Sequence, residues 1–226
     1  MSTNPAGHRI YLVDDHPLVR EWLSTLLRRQ SDLVVCGEQG EAGAALGEME
    51  QLRPELAIVD LSLGDASGLE LIKDMRQRVP EIKVLVLSMH EEAHYAERAV
   101  LAGARGYVAK RESTGRIVEA IREVLAGRLF VTPEVAARLM GRALGGKTAE
   151  TEQHPRDLLS DRELEVFERL GQGASTKLIA ETLHISQKTV QEYCARIKLK
   201  LSLSDNSALI REAVRWSGVG RSGPSA

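Results

Sequence analysis

The chain has 226 residues, with 30 Lys plus Arg against 32 Asp plus Glu, 43% apolar and 27% charged residues. At roughly 100–200 residues per domain this is one large domain or two small ones, apolar enough for packed cores and so not wholesale disordered. The net charge of −2 divides unevenly: residues 1–127 hold 15 basic and 20 acidic side chains and residues 128–226 hold 15 and 12, which suggests an acidic half joined to a modestly basic, nucleic-acid-facing one.

Met1–Arg9 is polar and lacks the apolar segment of a secretory leader. Five brief apolar runs rich in β-branched residues follow: Arg9–Val13, Leu33–Gly37, Leu56–Val59, Lys83–Leu87 and Gly106–Ala109. Near-continuous apolar runs are what strands covered on both faces require. Helical patterns lie between them. Leu18, Trp22, Leu26 and Leu27 fall on one stripe of the first, and Ile117, Ile121, Val124 and Leu125 on one stripe of the last. Five βα units describe an α/β doubly wound parallel sheet of the flavodoxin-like kind, a (βα)5 domain that binds ligands at the carboxyl ends of its strands.

The pattern changes at Gly127. Thr132-Pro133 caps and starts a linker helix to about Leu144. The stretch to Pro155 is polar, holds Gly and Pro and has no period, so it reads as a flexible linker. Four short helices and no strand follow, an all-α domain over 156–217. Ser160-Asp161-Arg162-Glu163 is a capping box that opens the first, and the second spans about Thr176 to Leu183. Ser186 caps a third to about Leu201, and Asp205 or Ser204 caps a fourth to Trp216. Two helices joined by a tight turn, the second with surface cations, suggest helix-turn-helix. Residues 218–226 are Gly/Ser-rich and read as a disordered tail. No apolar run approaches the ~20 residues of a bilayer-spanning helix. Cys36 and Cys194 are too isolated for a disulfide framework or a zinc site. The expectation is a reduced, cytoplasmic protein with no membrane partner.

Asp14 and Asp15 end the first expected strand, Asp60 the third, Ser88 the fourth and Lys110 the fifth. In a parallel sheet all five converge at one edge. Crowded carboxylates resist joint ionisation unless a cation joins them, and a hard divalent ion such as Mg2+ suits an open site that also takes phosphate oxygens. An Asp carboxylate can itself attack a phosphoryl group. Lys110 and the Ser88 hydroxyl would steady the transferred group. For that chemistry the carboxylates must cluster and Asp60 must be reachable from solvent.

The segments Val13-Asp14-Asp15-His16-Pro17, Ile58-Val59-Asp60-Leu61, Leu87-Ser88-Met89-His90 and Ala102–Lys110 resemble the receiver domain of two-component response regulators over about residues 8–127. The resemblance implies that Asp60 is the phosphoacceptor for a sensor histidine kinase. Asp14 or Asp15, Asp60 and the backbone carbonyl of Ser62 would hold Mg2+. Ser88 and Tyr107 would form the switch, the hydroxyl moving toward the phosphate and the ring turning inward behind it. Arg111 stands where many receivers carry Pro. Haloacid-dehalogenase-like phosphatases also form an aspartyl phosphate, but they need an acid–base Asp two residues past the nucleophile. Here that residue is Ser62, so a turnover enzyme is not expected.

The runs Leu159–Val166, Gly173–Ala180 and Leu183–Val190 resemble the LuxR-type DNA-binding domain, which makes the chain similar to the NarL/FixJ class of response regulators. The resemblance puts Ser186–Leu201 in the major groove and gives the fourth helix a part in dimerisation. Helical geometry alone turns Val190, Cys194, Ile197 and Leu201 toward the core. Lys188, Gln191, Glu192, Ala195 and Lys198 face the groove, Thr189 joins the DNA-binding set, and Arg196 and Lys200 flank it to meet phosphates. Gln191 suits adenine and Glu192 the cytosine amino group. The expected partners are the kinase, double-stranded DNA, a second copy of the chain on activation, and RNA polymerase. A phosphorylation-switched protein-interaction module with weak DNA binding is the alternative, because Gln191, Tyr193, Cys194 and Ala195 stand where many relatives carry cations.

Overall fold

The computed structural model describes residues 7–64, 66–89, 93–144, 158–183 and 185–219. The chain divides into two compact units, residues 1–149 and 150–226. The linker expected over 145–155 and the expected tail beyond Val219 lie outside the described residues.

The first unit runs β1 (His8–Val13), α1 (Pro17–Arg28), β2 (Leu33–Gln39), α2 (Ala42–Leu52), β3 (Leu56–Val59), a hairpin of β4 (Ser62–Leu63) and β5 (Ala66–Ser67), and α3 (Gly68–Arg78). It continues through β6 (Lys83–Ser88), α4 (Ala93–Ala102), β7 (Gly106–Ala109), α5 (Thr114–Leu125) and α6 (Pro133–Ala143). Five strands form one parallel sheet in the order β2-β1-β3-β6-β7. Strand residues alternate between two covered faces. Ile10, Leu12, Leu56, Ile58, Leu85, Leu87 and Val108 share a core with Leu23 and Leu27 of α1 and Ile117, Ile121 and Val124 of α5. Each such large side chain stabilises the unit by roughly 1.5–3 kcal/mol through burial. The opposite strand residues, including Tyr11, Ala57, Val86 and Tyr107, are buried too, as the unbroken apolar runs require.

The expected face of α1 is corrected. Leu18 is 79% and Trp22 37% exposed, while Leu23 and Leu27 are buried and Val19 packs beside them. Two parallel apolar rows, 18-22-26 and 19-23-27, lie on this helix, and packing on the sheet selects the second. On α5 the expected stripe holds, with Leu125 only partly buried.

After α5 the chain turns back along the sheet edge. Phe130 bridges to Gly106, the Tyr107 amide donates to the Phe130 carbonyl (2.9 Å), and Arg116 lies 4.4 Å over the Phe130 ring. α6 begins at the expected Thr132-Pro133 cap, buries Val135, and is tied to α4 by the Arg142–Glu97 ion pair (2.7 Å).

The second unit consists of α7 (Asp161–Gly171), α8 (Thr176–Thr182), α9 (Gln187–Lys200) and α10 (Asn206–Val219). α10 thus runs two residues into the stretch expected as a tail. Ser160, Ser175 and Ser186 each cap a helix by accepting from the amide three residues on, and Asp205 does the same for Ala208 (2.8 Å). α7 packs against α9 and α10, and α8 against α9. Phe167, Ile179, Val190, Ile197 and Leu209 fill the core.

The Ser160–Glu163 capping box extends into a tertiary contact. Glu163 accepts from the Ser160 amide (2.8 Å) and from Lys200 Nζ (2.6 Å). Burial raises its pKa, but Lys200 and the Ser160 amide outweigh that and hold it low. Glu163→Ala removes the cap and the ion pair together and is expected to cost about 2 kcal/mol. Glu163→Gln, which keeps the amide bond, should recover part of it. Urea unfolding read at Trp216 in a Trp22→Phe background checks both.

Candidate functional site

Register brings the chemistry to one edge. Val13 pairs with Val59, Val59 with Val86, and Ser88 with Ala109, so the residues that follow emerge side by side. The ladder runs one step further: the Asp60 amide donates to Val13 (2.9 Å) and the Lys110 amide to Ser88 (2.7 Å). Asp14, Asp15, His16 and Asp60 each offer a ligand atom within 4.8 Å of the others. The expected convergence of the carboxylates is present in the structure.

Lys110 Nζ stands between two of them, 2.6 Å from Asp14 Oδ2 and 2.8 Å from Asp60 Oδ2, with all three side chains buried. Burial opposes its charge, yet Asp60 and Asp14 outweigh this and hold its pKa above the ordinary value. At Asp60 burial is the largest influence and pushes the pKa up to about 6; Lys110 opposes the rise and Asp14 adds to it. Asp60 is only 3% exposed, more enclosed than expected, and the neighbouring Asp15 and His16 side chains are partly exposed. Its second oxygen, Oδ1, is buried without a hydrogen-bond partner among the described residues, as is Oδ1 of Asp15.

Ser88 is fully buried at the end of β6, and Tyr107 is 8% exposed. The tyrosine ring is enclosed in this structure. Ser62 opens the β4–β5 hairpin just past Asp60.

On α9, Val190, Tyr193, Cys194 and Ile197 are buried and Leu201 is partly so. Lys188, Gln191, Glu192, Ala195 and Arg196 are exposed together, and the Arg196 guanidinium lies 4.6 Å over the Tyr193 ring. Three members of the expected DNA set are engaged elsewhere. The Thr189 hydroxyl is 2.8 Å from Ser186 at the cap, Lys198 donates to Asn206 Oδ1 (2.7 Å), and Lys200 holds Glu163.

Residues 10–122 match the family model described as response regulator receiver domain, and residues 157–213 that described as bacterial regulatory proteins, luxR family. The chain belongs to the response regulators. The transcriptional activator protein ExaE of Pseudomonas putida is 36% identical over 208 residues, 91% of this chain and 95% of that one. The DNA-binding transcriptional activator DevR/DosR of Mycobacterium tuberculosis is 34% identical over 195 residues, 86% and 88% of the two chains. Among solved structures, a LuxR-family two-component response regulator from an Aurantimonas species is 34% identical with a TM-score of 0.56, covering 61% of this chain and 99% of that one. The Salmonella typhimurium RcsB response regulator is 25% identical with a TM-score of 0.54, covering 91% and 97%. Among the described residues no helix is long and apolar enough to cross a membrane.

Three residues that shape the centre of this response regulator escaped the sequence reading. Arg20 Nη1 donates to the Asp14 carbonyl (2.6 Å) and anchors the acidic turn. Gly68 donates to the Leu61 carbonyl (2.8 Å), and a Cβ there would lie 2.1 Å from the Asp60 carbonyl oxygen; only glycine lets α3 start so close under the Asp60 loop. His16 joins the carboxylates. No local pattern marks Gly68, eight residues past Asp60, for this role.

Proposed function

We propose that Asp60 accepts a phosphoryl group from a sensor histidine kinase and that the added charge switches the LuxR-type domain into a form that dimerises or is released to bind DNA. Residues 1–127 are the receiver, 128–155 the linker and 156–217 the DNA-binding domain, with a tail at 218–226. The observation that carries this reading is Asp60 itself: a buried carboxylate with one oxygen on Lys110 and the other without a partner among the described residues. An Asp60 oxygen attacks phosphorus as the bond to the donor imidazole nitrogen breaks, and that nitrogen departs with the bonding pair. Lys110 then neutralises the transferred group, and Ser88 moves to donate to it.

The residues fit Mg2+: Asp14, Asp15 and Asp60 with the Ser62 carbonyl form a hard oxygen set, and two of its buried carboxylate oxygens make no hydrogen bond among the described residues. Mg2+, when bound, neutralises the carboxylates and takes phosphate oxygens. The site receives a phosphoryl group and loses it slowly to water, without turnover of a substrate. A phosphoryl charge of about −1.5 to −2 shifts the population of states. The shift passes through Tyr107, whose amide holds Phe130 at the start of the linker. Ile210 and Val214, half exposed on α10, suit a dimer in which two α9 helices read half-sites one DNA turn apart. The setting is the cytoplasm, with RNA polymerase as a further partner.

Gel mobility of promoter DNA with acetyl phosphate and Mg2+ tests the switch. Wild type should gain affinity on phosphorylation and Asp60→Ala should not; an unchanged response in the variant overturns the assignment. The engagement of Lys198 and Lys200 by Asn206 and Glu163 favours a second reading, a phosphorylation-switched protein-interaction module with weak DNA binding. Selection from a random duplex pool at two salt concentrations separates them. One enriched motif with a steep salt dependence supports transcriptional control, and flat binding supports the module.

A further inference from the structure

One donor at the acidic cluster is a nitrogen. His16 Nδ1 stands 2.7 Å from Asp15 Oδ1 and 3.3 Å from Asp14 Oδ1. The shorter approach is an ion-pair contact not aligned as a hydrogen bond, for Asp15 Oδ1 has no hydrogen-bond partner among the described residues. Neighbouring ligands of a six-coordinate ion at about 2.1 Å lie about 3 Å apart, and these separations bracket that value. Asp60 offers a carboxylate oxygen within 4.8 Å of these atoms, and its Oδ1 is buried without a hydrogen-bond partner among the described residues.

The local chain fixes the imidazole there. His16 is the N-cap of α1, held extended ahead of Pro17, and its amide donates to Asp14 Oδ1 (2.9 Å). Lys110 approaches the other oxygens, Oδ2 of Asp14 and Asp60, so ammonium and imidazole do not compete for one position. The His16 side chain is 46% exposed, on the rim where an ion would keep open positions for phosphate oxygens.

We propose that His16 is a nitrogen ligand of this centre, which therefore takes a borderline first-row dication such as Co2+ with an advantage over Mg2+ that an all-oxygen centre lacks. Imidazole adds much to the affinity of a site for later first-row ions and little for Mg2+, which demands oxygen. The bound ion takes the place of the Nδ1 proton, which is released to solvent. The inference rests on the acidic cluster being the metal-holding phosphoacceptor centre.

Calorimetric titration of the full chain with Co2+ and with Mg2+ tests it, comparing wild type, His16→Gln and Asp60→Asn. His16→Gln should weaken Co2+ by at least about tenfold and leave Mg2+ within about twofold, while Asp60→Asn weakens both. Equal losses of the two ions in His16→Gln, or no loss, overturn the nitrogen ligand. Retention of both ions by Asp60→Asn overturns the underlying centre instead. Proton NMR of the Co2+ complex gives a second readout: hyperfine-shifted signals of carbon-bound imidazole ring protons, present in wild type and missing in His16→Gln, are expected, and their absence from wild type rejects the proposal.

Discussion

Without divalent ions, Asp60→Asn raises the stability of the first unit by as much as about 3 kcal/mol at neutral pH, and the gain disappears as the pH falls to about 4. Asp60 has a pKa of about 6 in the folded chain against an ordinary 3.8, with burial as the largest cause. A carboxyl whose folded pKa is raised binds more protons folded than unfolded between those values. Stability therefore falls as pH rises from about 4 to about 6 and stays reduced above that window. Asparagine mimics the protonated form and escapes the loss. The wild-type chain thus holds a destabilising charge at the proposed phosphoryl acceptor, as functional sites commonly do. Urea unfolding in a Trp216→Phe background leaves Trp22 on α1 as reporter of the first unit. Equal stability of variant and wild type at neutral pH would show that Asp60 bears no such strain.

Much of this centre was legible because parallel sheets impose strict conditions on sequence. Strands covered on both faces must be apolar throughout, so five short runs stood out, and the polar residues ending four of them marked the same edge. Register did the rest: once Val13, Val59 and Val86 align, Asp14 and Asp60 must be neighbours. The helical half was legible through its caps, since Ser160 and Ser186 act on amides three residues away.

What stayed hidden depends on contacts that no local pattern encodes. On α1 two apolar rows compete, and only packing buries Leu23 and Leu27 while leaving Leu18 outside. Lys200 reads as a surface cation until Glu163, distant in sequence, is seen to hold it. The β4–β5 hairpin is two residues per strand, too short for any period. The close approach of Gly68 to the Asp60 backbone is a tertiary demand on a residue that sequence reading treats as a turn.

Lys110→Ala is expected to have the opposite sign and a similar size to Asp60→Asn. It leaves Asp14 Oδ2 and Asp60 Oδ2, both buried, without the ammonium that lies 2.6 and 2.8 Å from them. Removing one partner from a buried ionic group typically costs about 3–5 kcal/mol, because the remaining charges lose compensation. Loss of Lys110 also removes the influence that lowers the Asp60 pKa, so protonation relieves part of the penalty. The destabilisation should be larger at pH 8 than at pH 5 on that account (roughly, by the same linkage). Two additions should restore stability by different routes. A divalent ion supplies the missing charge, so Mg2+ should raise the midpoint of Lys110→Ala more than that of wild type. Adding Asp60→Asn removes one of the facing carboxylates, so the double variant should be clearly more stable than the sum of the two single-variant effects, a non-additive cycle. Additive effects, or equal responses to Mg2+, would mean that Lys110 does not neutralise this pair.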